Sequence, residues 1–237
     1  MSKPLLSISK IMFRKNYWGF SEFEFFFFIF SVILVAFSSL YKHDSLFAVV
    51  SAACGIIYTI LAGKGKVYCY FFGIVGTLCC AYVSYDILLF GNFALHLLYY
   101  FPMEVIGFFT WKKHLNRETN EVIKERLSAK DFATMISLII TFTLFLYLIF
   151  VKIGDKSPMF DSLITVLSVA GMILTVKRSI EQWLIWTLVN FLSIIMWFDA
   201  YMDGEKIFSI FVVRILYFVL GLYFFVKWKN ESIKRAE

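Results

Sequence analysis

The chain has 237 residues, 60% of them hydrophobic and only 17% charged, with a formal net charge of +6. Soluble domains run near 45–50% apolar and about 25% charged. Here the apolar excess stands in long blocks, so composition excludes a chain that is mainly a soluble domain.

A helix needs about 20 mostly apolar residues to cross the hydrocarbon. Eight stretches qualify: 23–41, 45–63, 67–90, 93–111, 132–151, 160–176, 182–201 and 207–226. The expected fold class is therefore all-α, a polytopic membrane protein with eight transmembrane helices. A transmembrane barrel would alternate apolar and polar residues with period two; neither the Phe-rich run 25–30 nor the run 138–151 does so. No small-residue cleavage pattern follows the first block, so 23–41 is expected to be a retained helix.

The basic balance reads as topology rather than nucleic-acid binding. Lys and Arg collect on the cytoplasmic side of membrane proteins. With the N-terminus inside, Lys42, Lys152, Lys156 and Lys206 fall outside, Arg214 falls within a span, and the other eighteen of the 23 Lys and Arg fall inside. This places both termini in the cytoplasm. Cys54, Cys69, Cys79 and Cys80 sit in apolar runs without a CxxC pair or a nearby His set, so packing residues are expected rather than a zinc site. No cofactor is expected.

One connection is long. Residues 112–131 are polar, with charges of both signs, and suit a cytoplasmic helix or a flexible linker. They divide two related halves. When the sequence is slid along itself until Lys64 meets Lys177, the segment 70–77 meets 183–190, Asp86 meets Asp199 and Gly91 meets Gly204. The expected division is 1–44 (N-terminus and extra helix), 45–111 (first three-helix repeat), 112–155 (linker and linking helix), 156–228 (second repeat) and 229–237 (tail). Three spans reverse the chain's side and a fourth restores it, so both repeats insert in the same orientation. Substrate sites in such parallel-repeat proteins lie between the repeats near mid-bilayer.

The most informative segment is 183–190. Helical residues advance about 100° each, so Trp183, Trp186 and Asn190 share one stripe, which extends to Trp197. Asn190 lies roughly 13 Å into its helix at 1.5 Å per residue, near the middle of a core about 30 Å thick. Hydrocarbon offers an amide no partner, so Asn190 should face protein, cavity or ligand. Two indoles beside a polar anchor suit a flat ring carrying hydrogen-bonding groups. Interfacial Trp belts are the ordinary alternative; Trp183 is close enough to the helix start for one, Trp186 too deep.

The repeat-equivalent positions are Tyr70, Gly73, Thr77 and Ser84. Gly73 leaves space opposite Trp186, and Thr77 adds a polar group opposite Asn190; small-xxx-small packing is the alternative for both. His96 and Tyr99 share a face of 93–111, where His96 suits substrate binding, a proton relay or a satisfied place inside the bundle. Glu104 and Arg214, the charges inside spans, are expected to form a structural ion pair or to meet at a subunit interface, with proton coupling through Glu104 as the rival. Asp86 and Asp199 near the outer ends suit either an attraction for cations or solvated helix ends. The run 63–66 lacks the phosphate-loop spacing, and no hydrolase or metalloprotease motif occurs, so no enzyme activity is expected.

The segment from Asp161 through Glu181, Gln182, Trp183 and Trp186 to Asn190 resembles the PnuC family of nicotinamide riboside transporters, whose WxxWxxxN/D element is matched by Trp183, Trp186 and Asn190. The first half is similar around Phe72 and Gly73 and from Asp86 to Tyr99, and the resemblance covers about 45–228. It implies a SWEET-like 3+1+3 fold with one added N-terminal helix, a homotrimer in the bacterial inner membrane, and uptake of nicotinamide riboside by facilitated diffusion with trapping by a cytoplasmic riboside kinase. It implies a substrate site at Trp183, Trp186 and Asn190; the repeat equivalents Tyr70, Gly73 and Thr77, with His96 and Tyr99 on the neighbouring helix, are the further expected site residues. His96 departs from the Gln the family carries there. Related members carry thiamine or riboflavin, so another vitamin is the near alternative, a sugar a further one, and a non-transporting membrane assembly protein the alternative of a different class.

Overall fold

The computed structural model describes residues 15–17, 20–42, 45–86, 88, 90–202 and 208–233. A short antiparallel pair, β1 (Lys15–Tyr17) and β2 (Phe20–Ser21), leads into helix α1 (Glu22–Lys42). Ser21 and Glu24 start it reciprocally: the Glu24 N–H donates to Ser21 Oγ at 3.1 Å and the Ser21 N–H to Glu24 Oε2 at 3.0 Å, a capping box. Then follow α2 (Leu46–Gly63), α3 (Cys69–Asp86) and a rod built from α4 (Phe90–Ala94), a π-helical turn (Leu95–Tyr100) and α5 (Phe101–Lys113). Helices α6 (Ala129–Ile153), α7 (Pro158–Val176), α8 (Gln182–Met202) and α9 (Phe208–Ile233) complete the chain.

The described residues thus form eight helical rods in the expected order, with ends shifted by a few residues. Five of them, 46–63, 69–86, 92–113, 129–153 and 158–176, are long and apolar enough to cross a membrane by length and composition. The protein is an all-helical polytopic membrane protein. The π-turn was not expected from the regular apolar pattern. Pro102 has no N–H to offer the carbonyl of residue 98, and the Phe101 N–H reaches His96 O instead, an i→i−5 bond.

Helix α1 packs on α2 and α9, and α6 packs on α7. The two groups α2–α5 and α7–α9 meet where α5 touches α7 and α9 touches α2. These contacts are reciprocal. Trp111 Nε1 on α5 donates to Thr175 O at the end of α7 (2.8 Å), and Trp228 Nε1 on α9 donates to Gly63 O at the end of α2 (2.7 Å). Inside each group an equivalent aromatic pair packs, Tyr70 on Trp111 (centroids 5.2 Å apart) and Trp183 on Phe224 (5.1 Å). The offset that brings Lys64 onto Lys177 also brings Tyr70 onto Trp183 and Trp111 onto Phe224.

The linker takes neither of the two forms expected for it. Residues 114–127 form an extended strap across the basic end of the bundle. Val122 is fully buried; its N–H donates to Gly65 O at 2.8 Å, and the Glu125 N–H donates to Arg178 O at 3.0 Å. Gly65 (φ +68°) and Arg178 (φ +60°) are themselves repeat counterparts, and both are left-handed. The strap therefore binds the same turn in each group. Its polar composition concealed this order, because the order comes from tertiary contacts rather than from local periodicity.

Candidate functional site

A cavity of about 660 Å³ lies between the two helix groups. Trp183, Trp186 and Asn190 line it from α8, with Thr175 from α7. Gly73 and Thr77 on α3, His96 in the π-turn and Glu104 on α5 line the facing wall, while Arg214 and Tyr217 contribute from α9.

On α8 each polar group is set by its own helix or its neighbour. The Trp186 indole N–H donates to Thr175 Oγ1 at 3.0 Å, and that hydroxyl donates to Gly171 O at 2.8 Å. A Cβ on Gly171 would stand 3.0 Å from Trp186 Cε2, so glycine there lets the ring approach the α7 backbone. Asn190 Nδ2 donates to Trp186 O at 2.7 Å. Its Oδ1 is buried without a partner among the described residues, as is Trp183 Nε1. Buried polar atoms normally find partners, so two free ones on the wall of a cavity are places where a ligand's donor and acceptor fit. Trp183 is only 4% exposed and rests against Phe224 and Trp228.

On the facing wall Thr77 Oγ1 donates to Glu104 Oε1 at 3.0 Å, and Glu104 Oε2 is buried without a partner among the described residues. Gly73 has no room for a side chain: a Cβ would stand 2.9 Å from Glu104 Oε1 and 2.9 Å from the Tyr58 ring. His96 Nδ1 is 2.9 Å from Asn92 O.

Two expected site residues do not reach the cavity. Tyr70 is fully buried, packed edge-on against Trp111 and Tyr58. Tyr99 turns away and its hydroxyl donates to Val169 O at 2.8 Å. The π-turn widens the helix by about one residue per turn, so Tyr100 rather than Tyr99 shares the His96 face, the two rings 5.2 Å apart. Ser84 is also outside the lining; it donates to Cys80 O and accepts from Asn92 Nδ2. The expected ion pair between Glu104 and Arg214 is corrected as well. Among the described residues no salt bridge joins them, and both line the cavity. The side chains of Trp197 and Asp199, and Gly204, lie outside the described residues.

Tyr58, Thr175, Arg214 and Tyr217 line the cavity without having been singled out for it. The offset between the halves carries a signal for two of them: Tyr58 is the counterpart of Gly171, and Tyr217 that of Glu104.

Comparison with known proteins gives one consistent answer. A family model described as nicotinamide mononucleotide transporter matches residues 45–230. The nicotinamide riboside transporter PnuC of Neisseria mucosa is 29% identical over 94% of this chain and 86% of its own. That of Haemophilus influenzae is 32% identical over 81% and 83%. A crystal structure of the vitamin B3 transporter PnuC superposes with a TM-score of 0.78 at 27% identity, covering 98% of this chain and 99% of its own. The chain belongs to the PnuC family of membrane transporters.

Proposed function

We propose that the protein carries nicotinamide riboside across the membrane by facilitated diffusion, holding it near mid-bilayer between two three-helix repeats, 45–111 and 156–228, that are joined in the SWEET-like manner by the linking helix. The observation that carries this reading is the cavity wall formed by Trp183, Trp186 and Asn190, with the Asn190 Oδ1 and Trp183 Nε1 left free for a ligand. Nicotinamide riboside has a flat pyridinium ring, a carboxamide that both donates and accepts, and a polar ribose. A cation over an indole face gains about 0.5–2 kcal/mol, more when desolvated. In this reading the indoles cover the ring and Asn190 bonds the carboxamide or ribose, with Gly73, Thr77 and His96 opposite.

The family description names the mononucleotide and the relatives' names the riboside. The wall chemistry favours the riboside. Glu104 and Arg214 both line the cavity, so the wall carries one acidic and one basic group, and it is the indole faces, which attract a cationic ring, that favour the riboside. A phosphorylated product adds a dianion that the indole stripe does not accommodate, so a cytoplasmic riboside kinase completes net uptake. A single intramembrane carboxylate, with no second one to bind a coupling ion beside it among the described residues, supports downhill movement. The eighteen-to-four distribution of basic residues supports an inner-membrane protein with both termini cytoplasmic, which puts the strap on the cytoplasmic side. Assembly is read as a homotrimer, to be checked by native mass spectrometry of the purified protein.

The test is uptake by proteoliposomes without kinase. Nicotinamide riboside is expected to equilibrate across the membrane and not exceed the outside concentration, with or without a protonophore. Purified Asn190→Ala and Trp186→Ala proteins should bind it more weakly. Wild-type binding in both would remove the site, and accumulation abolished by protonophore would remove facilitated diffusion. Thiamine, another aromatic cation, is the competitor to include; tighter binding of thiamine would reassign the substrate.

A further inference from the structure

Glu104 stands out once the ion pair with Arg214 is absent. Its side chain is 6% exposed, on a helix that crosses the membrane. Oε1 accepts from Thr77 at 3.0 Å, which fixes the carboxyl group, and Oε2 has no hydrogen-bond partner among the described residues. Gly73 beside it leaves the space that the carboxyl group occupies. His96 and Arg214 line the same cavity, but among the described residues neither forms a salt bridge with Glu104, and a buried acidic group without an ion-pair partner in contact is costly to a fold. Such a group inside a membrane protein generally serves a ligand or an ion. Here it sits in the wall of the cavity, facing the helix group that carries the indoles.

We propose that Glu104, held by Thr77, is the counter-charge for the cationic ring of the substrate, so that the cavity selects the charged form of the nicotinamide ring over an uncharged ring of the same size. This rests on the reading of the protein as a nicotinamide riboside carrier. The selection has two walls. The Trp183 and Trp186 faces attract a cation through their ring quadrupoles but also accept a neutral aromatic ring. A carboxylate discriminates more sharply, since its attraction acts only on charge and is strong where water is excluded. The first repeat thereby supplies charge recognition and the second supplies stacking, which explains why counterpart positions Thr77 and Asn190, and Glu104 and Tyr217, carry different residue types.

The experiment compares two probes on the purified full-length protein: nicotinamide riboside, and its reduced dihydro form, which keeps the carboxamide and ribose but has no charge. Wild type is expected to prefer the cation. Glu104→Gln, which keeps the shape and can still meet the Thr77 hydroxyl, is expected to lose roughly tenfold to a hundredfold in affinity for the cation, while its affinity for the neutral probe changes by less than about threefold. Thr77→Val should reproduce the effect at smaller size, because it releases the carboxyl group without removing it. Equal losses for both probes in Glu104→Gln would make the residue structural and overturn the assignment, as would unchanged binding of the cation. Both results leave wild-type binding intact. Wild type that bound neither probe would instead remove the substrate reading, and this assignment with it. Thermal unfolding of the variant in parallel identifies misfolding; Thr77→Val, which leaves the carboxyl group in place, then decides the question.

Discussion

Trp186 and Gly171 meet where residue 171 has no room for a side chain, since a Cβ would stand 3.0 Å from the indole Cε2. The same pairing occurs at the counterpart positions of the first repeat with its members exchanged: Tyr58 is the large ring and Gly73 the glycine, with a Cβ on Gly73 placed 2.9 Å from the ring. Each helix pair therefore joins one aromatic residue to one glycine, but the aromatic stands on the first helix of the first group and on the second helix of the second. The swap makes the cavity asymmetric, with an indole on one wall and a glycine covered by Tyr58 and the Glu104 carboxyl group on the other.

Enlarging Gly171 should therefore damage binding before it damages folding. Gly171→Ala requires the indole to give by a few tenths of an ångström. Overpacking of this kind costs about 1–3 kcal/mol, part of which the cavity absorbs because Trp186 has open space on its other side. The expected outcome is a severalfold loss of riboside affinity with a small change in melting temperature, and a larger loss for Gly171→Val. Titration calorimetry and thermal unfolding on the same samples check it. A variant that unfolds without a change in affinity would contradict this account of the pair.

The Trp186 indole N–H depends on one acceptor, the Thr175 hydroxyl at 3.0 Å. Thr175→Val removes that acceptor at nearly constant volume and leaves the N–H unpaired beside the cavity. A stranded buried donor costs about 1–3 kcal/mol, and the ring loses its fixed orientation. Riboside affinity is expected to fall roughly threefold to thirtyfold, with Thr175→Ser close to wild type. Binding that survives the valine unchanged would mean that the indole is held by packing alone.

The α8 side of this site was legible in the sequence because its two signals are local. Helical spacing alone puts Trp183, Trp186 and Asn190 on one stripe, and an amide in an apolar run must face something polar. The helices were legible for the same reason, through long apolar runs. Tyr99 was misplaced because a π-turn breaks the 3.6-residue register, and only Pro102 hints at it. Tyr70 was misplaced because the offset that pairs it with Trp183 pairs backbone positions; it leaves open which ring borders the cavity and which is sealed beneath it. The separation of Glu104 from Arg214 depends on how three helices pack, and no pattern along one helix encodes that.

Arg178 ties the strap to the helix bundle. Its side chain is almost fully buried, pairs with Glu125 and donates from Nε to Ile123 O at 3.1 Å. Arg178→Ala strands these partners and is expected to cost about 2–4 kcal/mol, lowering the melting temperature by several degrees. Glu125 is more than half exposed, so Glu125→Gln should cost less than about 1 kcal/mol. Arg178→Gly relaxes the left-handed backbone while losing the same bonds, so it should fall between wild type and the alanine variant. Thermal unfolding of the three variants gives the order directly, and a glycine variant less stable than the alanine one would contradict it.

Glu24 fastens the N-terminal helix α1. It is 1% exposed, and its Oε1 accepts from Lys227 Nζ at 2.5 Å and from the Tyr223 hydroxyl at 3.2 Å, both on α9. The family model matches from residue 45, so this cluster joins a helix that precedes the matched residues to the last helix within them. Breaking a buried pair by removing one partner costs about 3–5 kcal/mol, because the other charge is left uncompensated. Glu24→Ala is therefore expected to lower thermal stability markedly, and Glu24→Ala with Lys227→Met to recover part of the loss. Neither residue lines the cavity, so riboside affinity of the folded fraction should stay within about twofold of wild type. Loss of affinity matching the loss of stability would instead mean that α1 shapes the substrate site, through Val35, which among the described residues it contributes to the cavity wall.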